Sequence, residues 1–411
     1  MAEPAPSPAS DPASDPASDR DAFARHVMAI VRASGSAKPV EHDVLHEKLR
    51  FGEAVFDLAR GFEMYRSLPP HQREDILGKL VRVGLFPPKL PATWAEAKDQ
   101  VLPVVQPKLH TVLADLRRDP ANGLVRSPLT EHLVVEVGVP VPDGIRAVDK
   151  AAVDLWGVSL DELGAQAARN LAARGARPWS QHKQHPGVFR SPWRDGVDVS
   201  RLLFPEVFAR IDPPLRGDPV AIATTPGTLL VAGADDPQGL VGLGRVGQEL
   251  FEQDGFLLFF RPLRGRDGRW EHWLPPAGHP AHAALARLHA TNRRVDYESQ
   301  ARALRALAIE QGKDTPVMSP VSVHLKAPTQ EPALLVTWRQ GRPAALPEAD
   351  AVVLVRGAQT LGVVPWDDLR RVLPGELQRM PGYPTRWLAH TFPEAWQLGA
   401  LPLAPWDGPV P

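Results

Sequence analysis

Val220-Ala-Ile-Ala-Thr-Thr-Pro-Gly-Thr-Leu-Leu-Val-Ala-Gly-Ala234 is the stretch whose reading decides the fold class. Two apolar runs, Val220 to Thr224 and Leu229 to Ala234, flank a Pro-Gly turn, which is a hairpin signal. Asp236 before Pro237 reads as an N-cap with proline at the first helical position, so a helix starts there. Beyond it, Phe256 to Leu263 and Trp270 to Leu274 flank Asp267-Gly268, a second and stronger hairpin signal. Antiparallel pairs separated by a helix predict an α+β protein with several small sheets, not one doubly wound sheet.

Outward from this stretch the patterns stay mixed. Toward the amino terminus, Leu133 to Val141 reads as a strand, and Ser159 caps a helix through Ala173 with Glu162 completing a capping box. Toward the carboxy terminus a helical stretch runs from Pro280 to Gln311, followed by strands such as Leu334 to Trp338 and Ala351 to Val355. Earlier in the chain, Ala22, Phe23, Val27, Ile30 and Val31 repeat at helical spacing, as do Ile76, Leu77, Leu80, Val81 and Val83. Val44, Leu45, Leu49 and Phe51 suit a short strand instead. The predicted organisation is a tail over 1–20, a mainly helical region over 21–125, a central α/β region over 126–318, and a strand-rich region over 319–411 with a Pro- and Trp-rich end. In the tail, Pro-Ala-Ser-Asp recurs in tandem from Pro8 to Asp19. With almost nothing to bury, residues 1–19 are expected to be disordered and dispensable for folding.

A chain of 411 residues suits two or three folded units. Its 47 Lys+Arg balance 48 Asp+Glu, which argues against a nucleic-acid surface or a polybasic membrane anchor. No apolar run approaches the roughly 18 residues of a membrane helix. The tail lacks the basic start and apolar stretch of a secretory signal, so a cytoplasmic location is expected. Absence of cysteine excludes disulfides, thiolate zinc sites, iron–sulfur clusters and a cysteine nucleophile. Arg-dominated basic residues and abundant Ala fit a GC-rich bacterial genome.

Four motifs suggest chemistry that their context weakens. Gly242-Leu-Gly244-Arg-Val-Gly247 spells a dinucleotide fingerprint, but no strand runs into Gly242, so the glycines are read as helix interior and no cofactor is expected. His279, His282 and His289 project within about one quadrant of a helix and are weak candidates for a divalent metal. They flank the buried stripe of Ala281, Leu285 and Leu288, where a solvated face is the plainer reading. His42-Asp-Val-Leu-His46 has zincin-like spacing with Asp43 where the catalytic Glu belongs. Arg261, Arg264, Arg266 and Arg269 are placed at a hairpin tip, solvated or touching phosphate or RNA.

The richest polar group is Ser191-Pro-Trp193-Arg194-Asp195-Gly-Val-Asp198-Val-Ser200-Arg201. Two carboxylates, two guanidiniums, a hydroxyl and an indole surround a glycine turn, which suits a polar-ligand site or water activation. The other reading is a structural loop whose Asp side chains cap amides and pair with Arg, with Asp198 and Arg201 facing the same way.

The stretch Thr93-Trp94-Ala-Glu-Ala-Lys98 with Leu102-Pro103, then Ser191-Pro-Trp193, Asp195-Gly196 and Ser200-Arg201-Leu-Leu203, resembles the YtpQ-like family of uncharacterised bacterial proteins. Asp296-Tyr-Glu-Ser-Gln300 and Leu346-Pro-Glu-Ala-Asp350 extend the resemblance over about 21–401. It implies a soluble cytoplasmic protein with no assigned activity, cofactor or catalytic residue, and an ordinary helix over 236–253. Two functions stay open: a non-catalytic binding or scaffold protein whose partner is another protein, or a hydrolase-like or small-ligand-binding enzyme using Asp195, Asp198, Ser200 and Arg201. They differ in whether those side chains converge on a pocket or on each other.

Overall fold

The computed structural model describes residues 16, 19–34, 40–44, 47–51, 54–85, 89–116, 122–142, 144–175, 177–254, 259–313, 316–326, 331–341, 343–406 and 408–410. Of the tail expected over 1–20, Pro16, Asp19 and Arg20 are among these residues, and Arg20 already begins a helix that Asp19 caps. The chain forms two compact units: residues 1–91 with 140–146 and 254–256, and the remainder.

In the first unit, apolar residues at helical spacing place Phe23, Val27 and Val31 of the helix Arg20–Ala33 in one core with Phe62, Leu77 and Val81 from the helices Leu58–Ser67 and Arg73–Leu85. The strands Val40–Asp43, Lys48–Phe51 and Ala54–Asp57 form an antiparallel sheet that adds Leu49 to this core. His42 therefore sits on a strand, the geometry that denies a zincin helix, and His46 lies outside the described residues.

The centre of the second unit is a six-stranded antiparallel sheet, ordered Arg269–His272, Phe259–Arg266, Pro219–Thr225, Thr228–Gly233, Phe189–Arg190 and Ser180–Gln181. Both expected hairpins form. Asp267 and Gly268 take φ of +50° and +73°, the mirror-image turn that a two-residue connection between twisted strands requires. Alternation along the strands builds two cores. Ala221, Ala223, Leu229, Val231, Phe259 and Leu263 pack with Trp193, Leu202, Phe208 and Trp270. Val220, Ile222, Leu230, Ala232 and Phe260 face Leu240, Leu243 and Val246 of the helix Pro237–Asp254 and Leu285 and Leu288 of the helix His282–Gln311.

Gly242, Gly244 and Gly247 lie inside the helix Pro237–Asp254. A β-carbon on Gly244 would come within 2.7 Å of Ala284, and one on Gly247 within 2.7 Å of Leu288. These glycines let elements approach closely; they do not cradle phosphate. Ser159 caps the helix Leu160–Ala173 by accepting from the Glu162 amide, while the reciprocal half of the capping box is absent among the described hydrogen bonds.

The strand Leu102–Pro107, placed by sequence in the helical region over 21–125, pairs antiparallel with Leu133–Val141. Further along, Glu331–Arg339 and Ala351–Arg356 run parallel between Val321–Lys326 and Gln359–Pro365. A second small sheet carries Val317–Met318, Ala344–Pro347, Arg386–Ala389 and Leu377–Met380. Their core, with Trp338, Trp366 and Leu369, also takes in Tyr297 from the helix His282–Gln311. The whole is an α+β fold.

Candidate functional site

The loop 191–203 owes its path to two left-handed residues, Arg194 at φ +52° and Gly196 at φ +77°, before a 3-10 turn over Asp198–Leu203. Ser191, Asp198, Ser200 and Arg201 are all buried there. Asp195 accepts from Arg201 Nη1 at 2.9 Å and Nη2 at 2.8 Å, the two-point geometry a guanidinium offers a carboxylate. Its Oδ2 also accepts from Arg174 Nη1 at 2.9 Å, and its Oδ1 from the Val197 amide. Burial opposes its charge, but the hydrogen bonds from Arg201 and Arg174 prevail and hold its pKa at about 2. The Arg201 guanidinium lies 4.6 Å from the centre of the Trp193 ring.

The pairing departs from the expected one. Asp198 does not face Arg201: its carboxylate accepts from Ser191 Oγ at 2.7 Å and from the amides of Arg194 and Asp195. Arg194 contributes its backbone amide while the residue stays exposed, and the second guanidinium on Asp195 is Arg174, just past the helix Leu160–Ala173. Ser200 Oγ accepts from the Val105 amide at 3.0 Å. Among the described residues no histidine hydrogen-bonds Ser200, so a nucleophile–base pair is not assembled. The contacts of this cluster run to loop amides and to neighbouring side chains of the same chain.

The three candidate metal histidines do not come together among the described residues. The helix begins at His282, leaving His279 ahead of it with Nδ1 accepting from the Ala281 amide. His282 Nδ1 meets the Pro275 carbonyl at 2.7 Å. His289 stacks on His272, ring centres 4.1 Å apart.

That stack belongs to a polar network which the sequence reading missed. His289, Asn292, Asp296 and Gln300 recur at helical spacing on the helix His282–Gln311, where polar residues would ordinarily face solvent. Here Asn292, Asp296 and Gln300 are buried. Arg261, expected at a hairpin tip, is instead buried on the strand Phe259–Arg266, where Nη2 donates to Asp296 at 2.7 Å and Nη1 meets His132 Nε2 at 2.8 Å. His132 Nδ1 meets the Tyr383 hydroxyl at 2.8 Å, and Gln300 donates to the Pro384 carbonyl. Burial, then the charge of Arg261, pulls His132 down to about 3; burial chiefly pulls His272 down to about 4 and His289 well below the usual range. Burial pushes Asp296 upward against the pull of Arg261. Buried titratable groups with shifted pKa values mark functional sites as well as structural ones. This network ties one helix to two strands and two loops, so its geometry is that of a joint. Its one legible signal was the H-x-x-N-x-x-x-D-x-x-x-Q spacing along one face of this helix.

Comparison with known proteins returns no matching family model, no matching curated protein and no matching solved structure. In the described residues no helix is long and apolar enough to cross a membrane.

Proposed function

We propose that this chain is a non-catalytic binding or scaffold protein of the bacterial cytoplasm, with another protein as its partner. The observation that carries the reading is the saturation of the loop 191–203. The oxygens of Asp195 and Asp198 accept from Arg201, Arg174, Ser191 and three loop amides, so they are engaged within the chain. A hydrolase would hold such groups ready for substrate and water. The YtpQ-like resemblance, which implies no activity, agrees with this reading. Nucleic acid and membrane are not among the partners proposed.

Melting curves of Asp195→Ala and Arg201→Ala test it. Each substitution removes one side of a partly buried ion pair and leaves its partner uncompensated, so both proteins should melt well below the parent. If both variants keep or exceed the parent melting temperature while losing a binding or hydrolytic activity, the loop is a working site and the proposal fails, because functional constellations are often strained.

A further inference from the structure

We propose that the cavity beside the Asp267-Gly268 turn binds a small aromatic carboxylate. The cavity has a volume of about 340 Å³ and lies between the 3-10 segment Pro205–Arg210, the loop 214–219 and the hairpin turn 265–270. That is the low end of small-molecule pockets, roughly 300–1,000 Å³, and suits a body of one or two fused rings.

Its inner surface is apolar and fixed. Phe208 and Trp270 meet edge to face with ring centres 5.2 Å apart, both buried except where they line the cavity. Trp270 cannot swing away, because its indole nitrogen donates to the Leu202 carbonyl at 2.8 Å and its ring occupies the space a side chain on Gly265 would take. Flat apolar walls held before a ligand arrives lower the ordering cost of binding.

The rim supplies the charge. Arg264 takes up Asp218 at 2.7 Å, which neutralises one lining carboxylate. Arg266 and Arg269, both exposed, flank the turn, and among the described residues neither forms an ion pair. Two guanidiniums against the single remaining carboxylate of Asp267 favour an anion, and the planar fork of arginine matches a carboxylate. Among the described residues no serine or histidine lines the cavity. The inference therefore rests on the reading of the chain as a non-catalytic binding protein: the ligand is held and not converted.

The test is calorimetric titration of the full chain with 2-naphthoate and with its neutral isostere 2-naphthamide, followed by chromatographic recovery of the ligand. One saturable site is expected, at least tenfold tighter for the anion. Arg266→Gln combined with Arg269→Gln, on an exposed turn, should cost naphthoate at least tenfold and leave the amide unchanged. Ala209→Trp, at an exposed lining position, should abolish both without lowering the melting temperature. Absence of saturation for naphthoate, equal affinity for the two compounds, or indifference to both variants overturns the site. Chemical conversion of the recovered ligand would instead overturn the non-catalytic reading while leaving the site standing.

Discussion

Asp198 is fully buried, yet its carboxylate meets three uncharged donors and, among the described residues, no cation. Removing it leaves the Ser191 hydroxyl and two amides without this acceptor, so Asp198→Ala should cost about 3 kcal/mol or more in denaturant unfolding, given about 1–3 kcal/mol for each buried group left unpaired. Asp198→Asn, which keeps one carbonyl acceptor, should cost less; equal losses would argue against this account. Asp195 behaves differently with acid. Its folded pKa, about 2, lies below the ordinary 3.8, so the stability it contributes is present above about pH 4 and is lost as pH falls toward 2. The sequence located this loop because its polar residues crowd a glycine turn. It could not supply the pairing. Asp198–Leu203 is a 3-10 turn preceded by left-handed residues, so i to i+3 reasoning on an α-helix fails, and Arg174 lies 21 positions away in sequence from the carboxylate it pairs with.

Helix ends and helix glycines carry the element-scale predictions. Asp19, the last residue of the Pro-Ala-Ser-Asp repeats, caps the helix Arg20–Ala33 by accepting from the Ala22 amide. A chain starting at Ala17 should therefore melt like the full protein. One starting at Arg20 should lose about 1 kcal/mol with the cap; identical melting of the two would show the cap to be idle. Gly247→Ala would place a β-carbon 2.7 Å from Leu288 and 2.8 Å from Ile222, both fully buried. Overpacking of about 1–3 kcal/mol should outweigh the helix-propensity gain of about 1 kcal/mol. Gly164→Ala, in the helix Leu160–Ala173 with open space around it, should show only the gain. Chemical denaturation of the pair decides: stabilisation by both would mean the Gly247 contact is loose. At this scale the sequence served well, because hairpin turns, caps and apolar periods are local signals. The antiparallel partnership of Leu102–Pro107 with Leu133–Val141 is a long-range choice with no local signature.

For the molecule as a whole, acid sensitivity should be set by three buried or half-buried histidines. His132, His272 and His289 face one another and the cations Arg261, Arg293 and Lys108, with Asp296 as the counter-charge on Arg261. Their folded pKa values lie below the ordinary 6.5, so the unfolded chain binds protons that the native state refuses. Stability should be level above about pH 6.5 and fall as pH drops from there toward 4, at up to about 1.4 kcal/mol per pH unit for each histidine. The check is the urea midpoint between pH 7.5 and 4.5, with His272→Gln and His289→Gln combined flattening the slope. A parent midpoint independent of pH across that window would refute the prediction.

The 30-residue helix His282–Gln311 is about 45 Å long at a rise of 1.5 Å per residue. Leu285 and Leu288 fill a core beside the central sheet, and Tyr297, further along the same rod, fills the core of the sheets beyond residue 319. Neither core is complete without it. Residues 319–411 are therefore not a module that recombination could lift out and place on another protein, since the excised piece would leave behind the ring that closes its interior. Amide hydrogen exchange along this helix should accordingly report one shared opening and not two, because loosening either end exposes a core that the other end helps to hold.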